Sequence, residues 1–188
     1  MWVSVASELL PSPPLHVDVL VPIVAGLARA EPLWRPHVAH DRHQRVRLRL
    51  LATPAYEVWL LGWAPGQSVG LHDHGGANGA FVVVDGTLTE TSFDGTGPVD
   101  ETRRAGDFGR IPAGTLHDVA NRSAHDATSI HVYSHPLRAM GFYHPDGSLA
   151  RVDAVHEQST ILGAGANPLA AVHRALHPAA GDGATIAR

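Results

Sequence analysis

The sequence predicts an all-β domain, an antiparallel sandwich or barrel over about residues 45 to 153, with short N-terminal helices and a short C-terminal extension. Short apolar runs recur through this stretch, turn dipeptides such as Pro65-Gly66, Asp85-Gly86 and Asp94-Gly95 separate them, and almost no helical pattern lies between them. At 188 residues the whole chain, 1–188, fits a single domain able to bury a substantial core. Residues 1–44 are expected to form a helical cover and 160–188 a tail, partly disordered at its end.

In order, the prolines at 11, 13, 14, 22, 32 and 36 bound any helix in the first 45 residues. Val17 to Ala30 is the best candidate, with Asp18 in its opening turn, and is expected to cover one end of the core. From Arg45 the pattern alternates: Val46, Leu48 and Leu50 on one face, Arg45, Arg47 and Arg49 on the other, a strand with an arginine face. Strands follow over Tyr56 to Trp63, Ala80 to Val84, Leu88 to Phe93, Asp107 to Ile111, His117 to Asn121, Thr128 to Ser134 and near Met140 to Tyr143. Asn167 to Leu176, in an Ala-, Gly- and Pro-rich tail, is a candidate short helix.

Composition narrows the function. The net charge of -4 gives no basic field for nucleic acid or anionic membrane. No apolar run reaches the length of a bilayer span and the N-terminus lacks the pattern of a secretory signal, so a cytoplasmic location is expected. With no cysteine there is no disulfide, thiolate metal site or cysteine nucleophile, and any metal must sit on histidine or carboxylate. All 14 basic residues are Arg, and there are 14 histidines.

Two segments organise those histidines. In GQSVGLHDHGGANGAFVVVDG, from Gly66 to Gly86, His72 and His74 stand two apart in an extended stretch, so both imidazoles leave one face of one strand. In GDFGRIPAGTLHDVAN, from Gly106 to Asn121, His117 follows a Pro/Gly turn and opens a strand that an antiparallel barrel can lay beside the first. Farther on, Ser129, His131 and Tyr133 alternate with Ile130 and Val132, giving one polar face in which a histidine can satisfy a buried phenol.

Residue for residue, the two segments resemble the paired motifs of the cupins, which implies a double-stranded β-helix or jelly-roll barrel. The position where most cupins carry a glutamate ligand is Gly79, so the resemblance implies an all-histidine site. Three neutral nitrogens leave a dication with open positions for substrate and dioxygen; zinc would accept them too, but cannot change oxidation state. Over roughly residues 40 to 145, the words EVWLLGWAPGQSVGLHDHGGANGAF, DGTLTE and SIHVYS followed by a proline resemble the cysteine dioxygenase family, the thiol dioxygenases, and particularly its bacterial branch.

This resemblance implies Fe(2+) held by His72, His74 and His117, and Ser129, His131 and Tyr133 as a hydrogen-bonded row leading to the substrate, with Tyr133 donating to oxygen or to a carboxylate. It implies a non-haem iron enzyme of cysteine catabolism that adds both atoms of O2 to the sulfur of L-cysteine, giving cysteine sulfinic acid. Its partners are then a small thiol and O2, with no nucleic acid and no membrane, and the protein a monomer or small homo-oligomer. In animal members a cysteine at the position of Gly79 is crosslinked to the tyrosine, a bond this chain cannot form.

A substrate carboxylate calls for arginine, which grips it bidentately, and the family's substrate arginine falls on the strand near residue 47. Arg49 opens the most family-like stretch, Arg47 is one alternate and Arg45 the other, and Arg138 could reach a carboxylate from another direction. Relatives acting on 3-mercaptopropionate tend to carry glutamine at the arginine position, so three arginines tilt the reading to cysteine. 3-Mercaptopropionate remains the alternative, as does a three-histidine cupin with another metal and substrate, which would have no use for the Ser129 to Tyr133 row.

Where the family reads Ser-Pro-Pro after the tyrosine, with a cis peptide before the first proline, this chain reads Ser134-His135-Pro136, and the loop is expected to differ. Asp73 is expected to be structural or to accept a hydrogen bond behind the ligands, Trp63 to be core or to pack near the substrate arginine, and the remaining histidines to lie on the surface.

Overall fold

The structure is a computed structural model and describes residues 13–93 and 97–155. The Asp94-Gly95 turn and the tail with its candidate helix lie outside the described residues. One helix, α1 (Val17–Arg29), and two 3-10 turns (Glu31–Leu33, Arg35–His37) precede the strands. These are β1 (Val46–Ala52), β2 (Glu57–Trp63), β3 (Asn78–Asp85), β4 (Thr87–Phe93), β5 (Pro98–Arg104), β6 (Phe108–Ile111), β7 (His117–Ala120), β8 (Ala127–Ser134), β9 (Ala139–Tyr143) and β10 (Leu149–Ala154).

All pairings are antiparallel, and the main sheet has the order β1-β2-β8-β3-β6. A three-stranded sheet, β5-β4-β7, and the β9/β10 pair are joined by isolated bridges, Ser68 to Ala120, His72 to His117 and His72 to Phe142. Together they form a second layer with residues 68–72 as its middle member. The result is the cupin jelly roll that the turn spacing and motifs predict.

Both faces of the main sheet are buried, which explains why every residue of β2 and β8 is buried. Val58, Leu60, Ala80, Val82, Ile130 and Val132 meet Leu20, Val24 and Leu27 of α1 together with Trp34. Each of the buried Val, Leu and Ile side chains among them contributes roughly 1.5–3 kcal/mol. The alternate residues Trp59, Leu61, Trp63, Phe81, Val83 and Tyr133 pack inward with Leu88 of β4 and Val119 of β7. The helix thus covers the outer face of the main sheet instead of one end of the core, because its apolar stripe matches the even-numbered face of β2 and β8. It runs on through Pro22, whose missing N–H costs one helix bond.

Two local features depart from simple alternation. A register shift in β1 between Arg49 and Leu51 places Leu50 and Leu51 in the same core cluster. Between β3 and β4, Gly86 turns the chain at φ 74°, where a Cβ would lie 2.5 Å from the Asp126 carbonyl oxygen. The Ser134–His135 peptide is cis. Among the described residues no helix is long and apolar enough to cross a membrane.

Candidate metal centre and its cavity

His72 and His117 form a closed antiparallel pair, His72 N donating to His117 O at 2.9 Å and His117 N to His72 O at 3.1 Å. This sets their imidazoles side by side, with ring centroids 4.7 Å apart. His74, two residues on, brings its ring to 4.8 Å from His72 and 5.2 Å from His117. The strand predicted for His72 and His74 is reduced to the single-residue bridges at His72, because the Gly75-Gly76 turn ends the pairing. Asp73 points away as expected and ties that turn down: it accepts from Gly75 N at 2.8 Å, Gly141 N at 3.2 Å and Tyr143 OH at 2.5 Å.

One nitrogen from each of the three histidines lies within 4.8 Å of the others, and all three residues are buried. Buried imidazole nitrogens without a hydrogen-bond partner are costly. Both nitrogens of His74 and Nε2 of His117 are in that state among the described residues. His72 donates from Nδ1 to the Gly70 carbonyl at 2.8 Å, which leaves its Nε2 as the lone-pair nitrogen. Burial, aided by neighbouring His117, lowers the His72 pKa to about 3, and burial keeps His74 neutral as well. Converging in a buried setting, these nitrogens could hold a metal ion.

Among the described residues no further ligand-type side chain joins the three histidines, and Gly79 has none to offer. In register with Tyr133 and Ile111, it is so close to the tyrosine that a Cβ would lie 2.9 Å from ring atom Cδ1. The ring occupies that space and stacks on His74, with centroids 4.7 Å apart.

The Ser129, His131 and Tyr133 row is assembled as the alternation predicts. Ser129 Oγ is 2.9 Å from His131 Nε2, and His131 Nδ1 is 3.0 Å from the Tyr133 hydroxyl. Trp63 extends the row by donating from Nε1 to Ser129 Oγ at 2.9 Å. The indole can only donate, and fully buried Ser129 needs an acceptor for its own proton, so Ser129 donates to His131 Nε2. His131 then carries its proton on Nδ1 and donates to the tyrosine oxygen. Burial holds His131 neutral and pushes the Tyr133 pKa up, so the phenol keeps a proton free to point elsewhere.

A cavity of about 170 Å³ opens beside these groups, lined by His72, His117, His131 and Tyr133, by Trp59, Leu61 and Trp63 of β2, and by Leu137, Met140 and Phe142. Arg45 and Arg47 also line it. Arg45 lies over the Trp63 ring at 4.8 Å, with Nε and Nη1 buried and lacking a hydrogen-bond partner among the described residues. Burial, with Arg47 nearby, lowers its pKa to about 10, which leaves it charged at neutral pH. Arg49 shares their face but not the cavity wall; its Nη1 is 3.6 Å from Glu57. Arg138 is exposed and does not line the cavity.

Sequence reasoning missed Glu90 and Arg103. Buried Glu90 accepts from His117 Nδ1 at 3.0 Å and pairs with Arg103 at 2.8 Å. Its signal was a carboxylate on the same face of a strand as buried Leu88. Of the histidines assigned to the surface, His40 is half-buried, its Nε2 3.0 Å from Thr128 Oγ1.

Among solved structures, the chain is similar to a protein from Thermus thermophilus (20% identity, 54% of this chain and 93% of that one, TM-score 0.49). It is also similar to an uncharacterised Klebsiella pneumoniae protein with a double-stranded β-helix domain (19%, 65% and 94%, TM-score 0.48). An oxalate oxidase in complex with glycolate matches at 20% identity over 50% of this chain and 52% of that one, with a TM-score of 0.44. The family model of cysteine dioxygenase type I matches residues 6–145, which contain His72, His74, His117 and the whole Ser129 to Tyr133 row. The chain therefore belongs to the cysteine dioxygenase type I family.

Proposed function

We propose that this protein is a cytoplasmic iron(II) enzyme that converts L-cysteine and dioxygen to cysteine sulfinic acid, with His72, His74 and His117 as its metal ligands. The observation that carries the reading is Arg45: a charged guanidinium with two buried donor atoms unpartnered among the described residues, on the wall that also carries His72, His117 and Tyr133. Such a group calls for an anion, and a planar carboxylate fits its fork.

Iron(II), when bound, supplies coordination of the thiolate and the redox chemistry with dioxygen. The chain's own residues do the rest. Arg45, with Arg47 beside it, anchors the carboxylate and fixes the sulfur's distance from the three imidazoles. Tyr133 donates its free proton toward the reacting end of the substrate, because His131 already fills one lone pair of the phenol oxygen. Trp63 sets that direction through Ser129 and also stacks beneath Arg45. Trp59, Leu61, Leu137, Met140 and Phe142 keep the wall apolar, which limits water beside the reacting sulfur.

The test is to load the metal-free protein with iron(II) and measure oxygen uptake and sulfinate formation with L-cysteine and with 3-mercaptopropionate. Faster turnover of L-cysteine is expected. Preference for 3-mercaptopropionate would move the substrate assignment to that thiol, and inactivity with both would overturn the thiol reading.

A further inference from the structure

Each imidazole of the triad is backed differently. His72 leans on a backbone carbonyl, His74 has no hydrogen-bond partner among the described residues, and His117 leans on a carboxylate. That carboxylate is itself fixed at both oxygens. Glu90 Oε1 accepts from His117 Nδ1 at 3.0 Å, while Oε2 accepts from Arg103 Nε at 3.0 Å and Nη2 at 2.8 Å. Arg103 comes from β5, the neighbour of β4, and its Nη2 also donates to Glu101 at 2.5 Å. Glu90 is only 6% exposed.

We propose that Glu90 is a positioning residue for the metal: it fixes the proton of His117 on Nδ1, turns Nε2 toward His72 and His74, and supplies from behind the ligand the negative charge that Gly79 cannot supply beside it. The inference rests on the reading that His117 is a ligand. A carboxylate hydrogen-bonded to the far nitrogen of a ligating imidazole locks its tautomer and raises its basicity. Here the carboxylate has no freedom to turn away, because Arg103 occupies the oxygen that His117 does not. Arg103 also supplies a fixed counter-charge, so Glu90 can stay ionised in a buried setting before any cation arrives.

The alternative is an ion pair that only braces β4 against β5, and it predicts a different experiment. Metal-free wild type and Glu90→Gln, which keeps shape and removes charge, are titrated with cobalt(II) against a chromogenic chelator, and thermal unfolding of both metal-free proteins is followed. The expected result is a cobalt affinity weakened by about 10- to 100-fold in Glu90→Gln, a changed cobalt visible spectrum, and an unfolding midpoint that does not fall in step. Wild-type affinity in the variant, or a loss matched by an equivalent loss of metal-free stability, would overturn the proposal. Should Glu90→Gln not fold, Arg103→Gln carries the test, with weakened cobalt binding expected and wild-type affinity overturning it. If wild type itself binds no cobalt, the ligand reading fails first and the role of Glu90 with it.

Discussion

Replacing Arg45 by Met should improve the empty protein and harm the working one. The Arg45 guanidinium buries Nε and Nη1 without a hydrogen-bond partner among the described residues, a state that costs about 1–3 kcal/mol. Against this stands its stacking on Trp63, about 1 kcal/mol for a partly desolvated cation–π contact. Met keeps the apolar contact, so the metal-free variant should gain about 1 kcal/mol, a rise of roughly 2–4 °C in unfolding midpoint for a domain of this size. With substrate the sign reverses. Two charge-assisted hydrogen bonds to a carboxylate are worth about 1.5 kcal/mol or more each, so KM for L-cysteine should rise roughly 100-fold or more. Arg49→Met is the control: it strips buried Glu57 of its cation and should destabilise by about 3 kcal/mol with little change in KM. Steady-state sulfinate formation and thermal unfolding read both effects. A normal KM in Arg45→Met together with a raised KM in Arg49→Met would refute the assignment of the carboxylate to the cavity arginines.

Three further outcomes follow from the same geometry. Tyr133→Phe removes the free hydroxyl proton but not the ring that fills the space beside Gly79, so turnover should fall about 100-fold, as for loss of one preorganised donor, while iron content is unchanged. Gly79→Glu should not add a metal ligand; its Cβ would press on the Tyr133 ring, and overpacking of this kind costs about 1–3 kcal/mol in chemical denaturation. The pH dependence of metal-free stability is set by buried neutral histidines. His72, His74 and His131 have pKa values lowered by burial, so below about 6.5 the unfolded chain binds more protons than the folded one. Stability is therefore full above that pH and falls on acidification, by up to ~1.4 kcal/mol per pH unit for each histidine, with His72 ceasing to contribute below about 3. Denaturant midpoints that stay constant between pH 7 and pH 4 would contradict this.

Most of the fold was legible because the strands alternate and their turns are marked. β2 and β8 also read as runs, since one face meets α1 and the other the cavity. β5 was not legible: its sequence PVDETRR has no apolar alternation, and six of its seven residues are exposed. It is a strand because it pairs with β4 along its full length, a tertiary cause that no local pattern carries. At the site, the spacing of His72, His74 and His117 was enough to bring them together, and the parity of Ser129, His131 and Tyr133 was enough to align them. The arginines were harder. Parity placed Arg45, Arg47 and Arg49 on one face, but their distance from the cavity depends on how β1 lies along β2, with Arg47 opposite Leu61 and Arg49 opposite Trp59. Glu90 escaped because a carboxylate in a strand reads as solvent-facing unless the residue behind it is known.

The second layer has a seam. Between β7 and β9 its continuity rests on residues 68–72, held to β7 by the paired His72–His117 bonds and Val69 N to Val119 O, and to β9 by Tyr143 N to Leu71 O. Local opening of a segment spans costs from near zero up to that of global unfolding, and whatever ties it down raises that cost. A cation shared by His72, His74 and His117 would fasten this segment to β7, so that loading the metal also closes the barrel. Backbone amides at His72, Asp73 and His117, which exchange with solvent only when the seam parts, would then record occupancy of the site as slowed hydrogen exchange.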